Sequence, residues 1–172
     1  TDADKEDNSG NGAGDVFVVR YNPAWDGYDA LEYSTYLGTF DAEMPLAIAA
    51  NSHGLVSVVG YTMAGKMPTG ALNAAFQPSN RGGADAFVYT LNTRGDEGQT
   101  LMMATFFGGV GTEIGNAVEM DENGLVYIAG VTMSWDLPMA GASYIPDYFD
   151  RGDVFLTILD PTQSGFDVQK YC

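Results

Sequence analysis

The chain is short of basic residues, cysteine and histidine. Its 172 residues include 7 Lys and Arg against 23 Asp and Glu, a formal net charge of −16 at pH 7. This balance excludes a typical nucleic-acid binder, because such proteins neutralise phosphates with Lys and Arg. The single cysteine, Cys172, has no partner for a disulfide within the chain, so it does not settle the redox compartment. No apolar run reaches 18 residues, so a membrane-spanning helix is not predicted.

The usual catalytic motifs are also missing. His53 is the only histidine, and neither Gly-x-Ser-x-Gly nor a phosphate-binding Gly-x-x-x-x-Gly-Lys motif occurs. No sequence motif supports a Ser-His-Asp catalytic triad. The sequence therefore favours a protein that is not an enzyme, although a larger protein containing this chain could carry a catalytic centre elsewhere.

Glycine and apolar residues are plentiful. The chain has 22 glycines and 45% apolar residues, whereas charged residues make up 17%, against the roughly 25% that is usual. So much glycine indicates many tight turns rather than long helices. The high acidity suits an extracellular, marine or high-salt protein, because it keeps the surface hydrated.

A repeat with a period of 70 residues runs through the sequence. Short strings recur at this offset, and one recurs a third time after 68 more residues. The matches are Asp15–Val18 with Asp85–Val88 and then Asp153–Leu156, Tyr33–Gly38 with Met103–Gly108, and Asn51–Val56 with Asp121–Val126. Such a period predicts that one supersecondary unit is repeated.

Each unit reads as short strands bounded by Gly, Pro and Asx turns. We predict ten strands and no helix: Phe17–Tyr21, Leu31–Leu37, Leu46–Ala50, Leu55–Tyr61, Ala86–Leu91, Leu101–Phe107, Ala117–Met120, Leu125–Ala129, Val154–Leu159 and Val168–Cys172. A repeated four-stranded antiparallel unit is typical of a β-propeller blade. The small residues Ala47–Ala50 suit the innermost strand, where blades converge.

Three strings resemble the SBBP-type β-propeller repeat: Tyr33–Gly38, Ala75–Gln77 ahead of Gly82–Val88, and Asp121–Gly130. The resemblance covers Gly14 to Cys172. It implies a propeller fold and, because such repeats occur in many secreted and surface proteins, an extracellular or cell-surface location. It implies no activity. The chain departs from the family in its longer unit, in Phe107 where Leu is usual, and in a last copy that is cut off.

These observations predict an all-β fold, a partial β-propeller of about two and a half four-stranded blades. Residues 1–14 are expected to form a flexible acidic and Gly-rich linker, and 15–172 the propeller segment. Its parts are a half blade over 15–38, a blade over 46–107, and a blade over 116–172 that is cut short in its last strand. We favour a segment of a ring of about seven blades over several copies that close a ring. Other blades or other subunits would then cover the open blade edges.

Two long connections, Thr62–Ala84 and Thr132–Gly152, are the candidate binding loops. The second mixes aromatic rings with carboxylates, which suits stacking and hydrogen bonding to a glycan or a protein. Its candidate residues are Trp135, Asp136, Asp147, Tyr148, Phe149 and Asp150. The alternative is that these residues pack within the loop or plug the seam between blades.

A third set is acidic. Asp41, Glu43 and Glu113 fall in the connections between blades, and carboxylates of this kind can bind Ca²⁺, which takes six to eight oxygens. The chain is otherwise predicted to need no cofactor. These predictions favour a non-catalytic extracellular scaffold or recognition module for protein or glycan. The alternatives are part of a propeller enzyme that acts on glycans, as a lyase or hydrolase, or a structural subunit of an extracellular filament or large complex.

Overall fold

A computed structural model describes residues 14–68, 71, 73, 75–94, 100–139 and 152–172. In this part of the chain there are ten strands and two single-turn 3₁₀ helices, Gly27–Ala30 and Gly165–Val168. The strands are β1 Val16–Tyr21, β2 Leu31–Leu37, β3 Glu43–Ala50, β4 Leu55–Thr62, β5 Asp85–Asn92, β6 Leu101–Phe107, β7 Glu113–Met120, β8 Val126–Thr132, β9 Asp153–Leu159 and β10 Gln169–Tyr171. The predicted all-β class is confirmed.

The strands form three antiparallel sheets in which neighbours in sequence are neighbours in space. The first sheet is β1-β2, the middle sheet is β3-β4-β5-β6, and the third sheet is β7-β8-β9-β10. Tight turns close the first hairpin of each four-stranded sheet, and Gly54 (φ 85°) and Gly124 (φ 87°) hold the left-handed conformation there. This conformation favours glycine, because a Cβ would clash with the backbone.

The two four-stranded sheets share their registers. Glu43 pairs with Thr62 in the middle sheet, and Glu113 pairs with Thr132 in the third, 70 residues later. Both first strands carry an irregularity at the same place, between Pro45 and Ala47 and between Gly115 and Ala117. The matching strings in the sequence therefore correspond to matching backbone pairings.

The middle sheet is buried on both faces. Its side chains Val56, Val58, Phe87, Tyr89, Leu91 and Ala104 pack against Val16, Val18 and Leu37 of the first sheet. On the opposite face, Val59, Ala86, Val88, Met103 and Phe107 pack against Met120, Val126, Ile128, Phe155 and Leu159 of the third sheet. The rings of Phe107 and Phe155 meet with centroids 5.1 Å apart. The three sheets are thus layered face to face in sequence order.

Three predicted boundaries were wrong by three residues or more. β3 and β7 begin at Glu43 and Glu113, before the predicted starts at Leu46 and Ala117, and β8 ends at Thr132, after the predicted end at Ala129. The strands continue past the bulge because Glu43 and Glu113 still pair with Thr62 and Thr132. The 3₁₀ turns were not predicted either, since four residues carry too little periodicity to indicate a helix.

Candidate functional site

Four connections gather at one end of the three sheets. They are 38–42, the described residues of 63–84, 108–112 and 133–139, and we call this region the loop end. Because the strands are antiparallel, β2, β4, β6 and β8 all finish here while β3, β5, β7 and β9 all begin here. The two long connections of the sequence therefore open on the same side of the molecule.

Hydrogen bonds join three of these connections, 63–84, 108–112 and 133–139, into one layer. Asn80 N–H donates to Gly65 O at 3.3 Å, and Gly83 N–H donates to Gly111 O at 2.6 Å. Gly111 N–H in turn donates to Ser134 Oγ at 2.7 Å. The loops of neighbouring sheets are thus tied to one another.

Exposed apolar side chains cover this layer. They are Phe40, Met63, Val110, Met133, Trp135 and Met139. Phe40 and Val110 lie 70 residues apart, as do Met63 and Met133. Clustered exposed apolar side chains mark interaction sites more often than isolated ones do, so the loop end is the candidate site.

Trp135 is the most firmly placed of these groups. Its indole is 73% exposed, while Ser134 before it is buried. Asp136 after it accepts the Val110 N–H on Oδ1 at 2.9 Å, and the Ser134 hydroxyl accepts the Gly111 N–H. Trp135 is therefore exposed on a loop segment that Ser134 and Asp136 tie to the neighbouring loop on both sides, so little loop entropy remains to be lost on binding.

The backbone of Gly109 passes close to the side chains of Ser134 and Asp136. A Cβ built on Gly109 would lie 2.6 Å from the Ser134 Cβ, which no real side chain would tolerate. Gly109 is therefore required where the loop passes beneath the Trp135 segment.

A buried carboxylate layer lies beneath the loop end. Asp85 Oδ2 accepts the Gln77 side-chain N–H at 2.7 Å and the Arg81 backbone N–H at 3.0 Å. Glu113 Oε2 accepts the Gly109 N–H at 2.8 Å, and its Oε1 accepts the Thr132 hydroxyl at 2.7 Å. Each carboxylate accepts a hydrogen bond from a backbone N–H of a loop, so the two carboxylates help to fix the loops in position.

Asp85 and Glu113 also face each other. A Cβ on Gly108 would lie 2.7 Å from Asp85 Oδ1 and 2.6 Å from Glu113 Oε2. Burial raises the pKa of Asp85 to about 6, and the Glu113 charge adds to this, while the hydrogen bonds from Arg81 and Gln77 oppose it. Asp85 is fully buried, so it cannot touch a substrate, and its altered pKa is a property of the scaffold.

We call the contact of the first sheet with the middle sheet the first junction, and that of the middle sheet with the third sheet the second junction. At the first junction, Glu43 takes the place of Glu113 with a different partner. Glu43 Oε1 accepts the Thr39 hydroxyl at 2.6 Å, and its Oε2 accepts the Thr39 N–H at 3.2 Å. Burial raises the pKa of Glu43, the bonds from Thr39 oppose the rise, and the Asp15 charge adds to it. Thr39 thus gives Glu43 one N–H donor and one hydroxyl donor, which Gly109 and Thr132 together give Glu113.

The predicted binding residues divide into two groups. Trp135 and Asp136 lie together at the loop end, where one oxygen of Asp136 serves the Val110 N–H. Asp147, Tyr148, Phe149 and Asp150 lie outside the described residues. The exposed groups at Phe40, Met63, Val110 and Met133 were missed by the sequence reasoning, although their 70-residue spacing was a usable signal.

The predicted calcium ligands are not neighbours in one loop. Asp41 is exposed in the connection before β3, whereas Glu43 and Glu113 begin β3 and β7 and are buried. Glu43 and Glu113 use their oxygens on their own loops. Among the described residues, no group of three or more His, Cys, Asp and Glu side chains is placed to hold a metal. The Ca²⁺ site stays a prediction.

The other reactive side chains are His53, which lies away from the loop end, and Cys172, which is buried. His53 is exposed in the turn after β3, with Nε2 3.7 Å from Glu122 Oε2. Burial raises the pKa of the Cys172 thiol to about 11, so it stays protonated near neutral pH and is a poor nucleophile. In the described part of the chain, no helix has the length and apolarity to cross a bilayer.

The chain matches no known protein-family model. No curated protein is significantly similar to it.

Proposed function

We propose that this chain is part of a β-propeller and serves as a non-catalytic recognition module that binds protein through the loop end. The observation that carries this function is the exposed indole of Trp135, held between Ser134 and Asp136 beside Val110 and Met133. Tryptophan and methionine are enriched at protein–protein interfaces, and tryptophan is among the commonest hot spots.

The propeller architecture is supported by how the sheets follow one another. Equivalent turns touch across the second junction, since the Asn51 side chain donates to Asp121 O at 3.2 Å and the Ser52 hydroxyl donates to Glu122 at 2.5 Å. These partners are 70 residues apart. Contact between equivalent residues is expected where wedge-shaped sheets converge on an axis. The resemblance to the SBBP-type repeat points the same way.

Crystallography of the chain tests this architecture. We expect the rotation that carries the first sheet onto the second to equal the rotation from the second to the third, about one axis. Sheets related by translation, or by unrelated rotations, would contradict the propeller.

Protein is favoured over glycan as the ligand because of the chemistry exposed. Four of the six exposed apolar side chains at the loop end are aliphatic or thioether groups, which offer no ring to stack on a sugar. The exposed charged side chains Asp41, Lys66 and Arg81 lie in the same connections and suit the polar rim of a protein interface, and Asp136 Oδ1 already accepts the Val110 N–H. We also propose that the chain works outside the cell or on its surface, as its acidity and the SBBP resemblance indicate. Fractionation of the natural host with an antibody to this chain would test the location.

The binding role is tested by peptide selection on the intact chain. Peptides selected from a random displayed library should bind Trp135→Ala about tenfold more weakly or worse, as for a hot-spot residue. Trp25→Ala is the matched control, because Trp25 is exposed in a turn outside the loop end, and it should leave affinity unchanged.

Peptides that bind equally well without Trp135 would overturn the proposed site. A panel of neutral and acidic oligosaccharides, titrated in parallel, tests the other ligand class. If oligosaccharides bind through Trp135 and peptides do not, the ligand is a glycan and the protein-binding proposal fails.

A further inference from the structure

Each sheet of the stack has two faces of different kinds. The front face of a sheet is the one that packs on the next sheet along the chain, as Val59, Ala86 and Val88 do in the middle sheet. The back face packs on the preceding sheet, as Phe87 and Tyr89 do. Front meets back twice within the chain, at the first and second junctions.

The front face of the third sheet is exposed. Val154 is 79% exposed, and Leu156 and Val131 are exposed beside it. Val131 pairs with Val154, which places them on one face. Val154 and Leu156 correspond to Ala86 and Val88 after the 68-residue offset, and these form the buried front face of the middle sheet.

The back face of the first sheet is exposed as well. Phe17 is 67% exposed, and Val19, Tyr21 and Tyr36 are exposed with it. Phe17 pairs with Tyr36 across the hairpin. Phe17 and Val19 correspond to Phe87 and Tyr89, 70 residues on, which are fully buried against the first sheet.

We infer that these two faces bind each other between copies of the chain, front to back. The occupant is a second copy because every copy carries both halves of a contact that already forms twice inside it. The inference rests on the same stacking of sheets that supports the propeller, and it is separate from recognition at the loop end. A contact of this kind is heterologous, so it forms rings when the rotation closes and filaments when it does not.

Charge sets the conditions for this association. Each copy carries a net charge of −16, so copies repel one another at low ionic strength. Salt screens this repulsion and leaves the apolar contact in place. Association should therefore increase with salt and with protein concentration.

Sedimentation velocity on the 172-residue chain tests the inference, from about 1 to about 100 µM and in about 0.15 M and about 1 M NaCl. We expect species heavier than the 18.3 kDa monomer that grow with concentration. Leu156→Lys on the front face and Phe17→Lys on the back face should each weaken self-association by about tenfold or more. Met63→Lys, an exposed apolar position at the loop end, is the matched control and should associate normally.

Mixing the two variants gives the decisive result. The Leu156→Lys chain keeps an intact back face, and the Phe17→Lys chain keeps an intact front face. An equimolar mixture should therefore form a one-to-one heterodimer that grows no further, although neither variant associates alone.

Three results would overturn the inference: a monomer at every concentration and salt, association that neither variant weakens, or variants that fail to rescue each other. Circular dichroism confirms that each variant is folded. Peptide binding at the loop end should be unchanged in both, so failure here and failure of the proposed recognition site give different results.

Discussion

The first sheet and the middle sheet share several repeat positions at an offset of 70 residues, yet the energetics of these positions differ. Phe87 is fully buried, whereas Phe17, 70 residues earlier in an equivalent strand, is mostly exposed. Likewise Asp85 is fully buried, while Asp15 is only partly buried. A repeated sequence therefore does not give repeated energies, because the number of sheets packed around a position decides what each residue contributes.

The largest expected effect concerns the phenylalanine pair. Phe87→Ala removes a ring that packs between two sheets, and we expect the free energy of unfolding to fall by about 3–5 kcal/mol. Phe17→Ala should change it by less than about 1 kcal/mol, because the ring is exposed. Urea unfolding at low protein concentration and low salt, where the chain is monomeric, measures both. Equal losses of unfolding free energy in Phe87→Ala and Phe17→Ala would refute the comparison.

The next effect concerns the two glycines beside the carboxylates. A Cβ at Gly108 would lie 2.5 Å from Asp85 Cγ and 2.6 Å from Glu113 Oε2, while at Gly38 the three nearest atoms, all within 2.9 Å, belong to Asp15. Gly108→Ala should therefore cost about 1–3 kcal/mol, and Gly38→Ala less, because Asp15 is only partly buried and can move towards solvent whereas Asp85 and Glu113 are fully buried. Thermal unfolding would give the order, and a larger loss at Gly38 would contradict it.

A smaller effect concerns the charge on Asp85. Its pKa of about 6 in the folded chain lies above the ordinary 3.8. Its contribution to stability is therefore complete below about pH 4 and is lost as pH rises through about 6. Asp85→Asn removes this loss, because the amide oxygen still accepts from Gln77 and Arg81, while the amide N–H replaces an oxygen, Oδ1, that has no partner.

We expect Asp85→Asn to gain about 1–2 kcal/mol relative to the native chain between pH 5 and pH 7.5. Urea unfolding across this range measures the difference. A difference that is flat with pH, or that falls as pH rises, would show that Asp85 does not lose stability on ionising.

The strands could be predicted because the evidence for them is local. Asn51–Gly54 and Asp121–Gly124 are turn formers, and the apolar runs beside them have strand length. The ten predicted strands correspond to the ten observed in the described residues. Boundaries failed at Glu43 and Glu113, where a charged residue before a bulge does not look like the start of a strand.

The site was predictable only in outline. Trp135 stood out by composition, but the contact of Asp136 with Val110 spans 26 residues and no local pattern indicates it. Glu113 accepts from Gly109, four residues earlier, and from Thr132, 19 residues later in the next strand. Its complete burial makes Glu113 a scaffold group and not an exposed ligand, and burial of a charged residue cannot be read from spacing.

The irregularities in β3 and β7 have a consequence for mispairing. A chain built from near-copies risks aligning a strand of one copy with the wrong partner, or shifted by one residue, which would turn its apolar side chains to solvent. The extra residue of each bulge, Leu46 after Pro45 in β3 and Asn116 after Gly115 in β7, allows one alignment in each hairpin. Proline also offers no N–H to an incoming strand. The two bulges and Pro45 therefore disfavour amyloid-like pairing between the repeated segments of the chain.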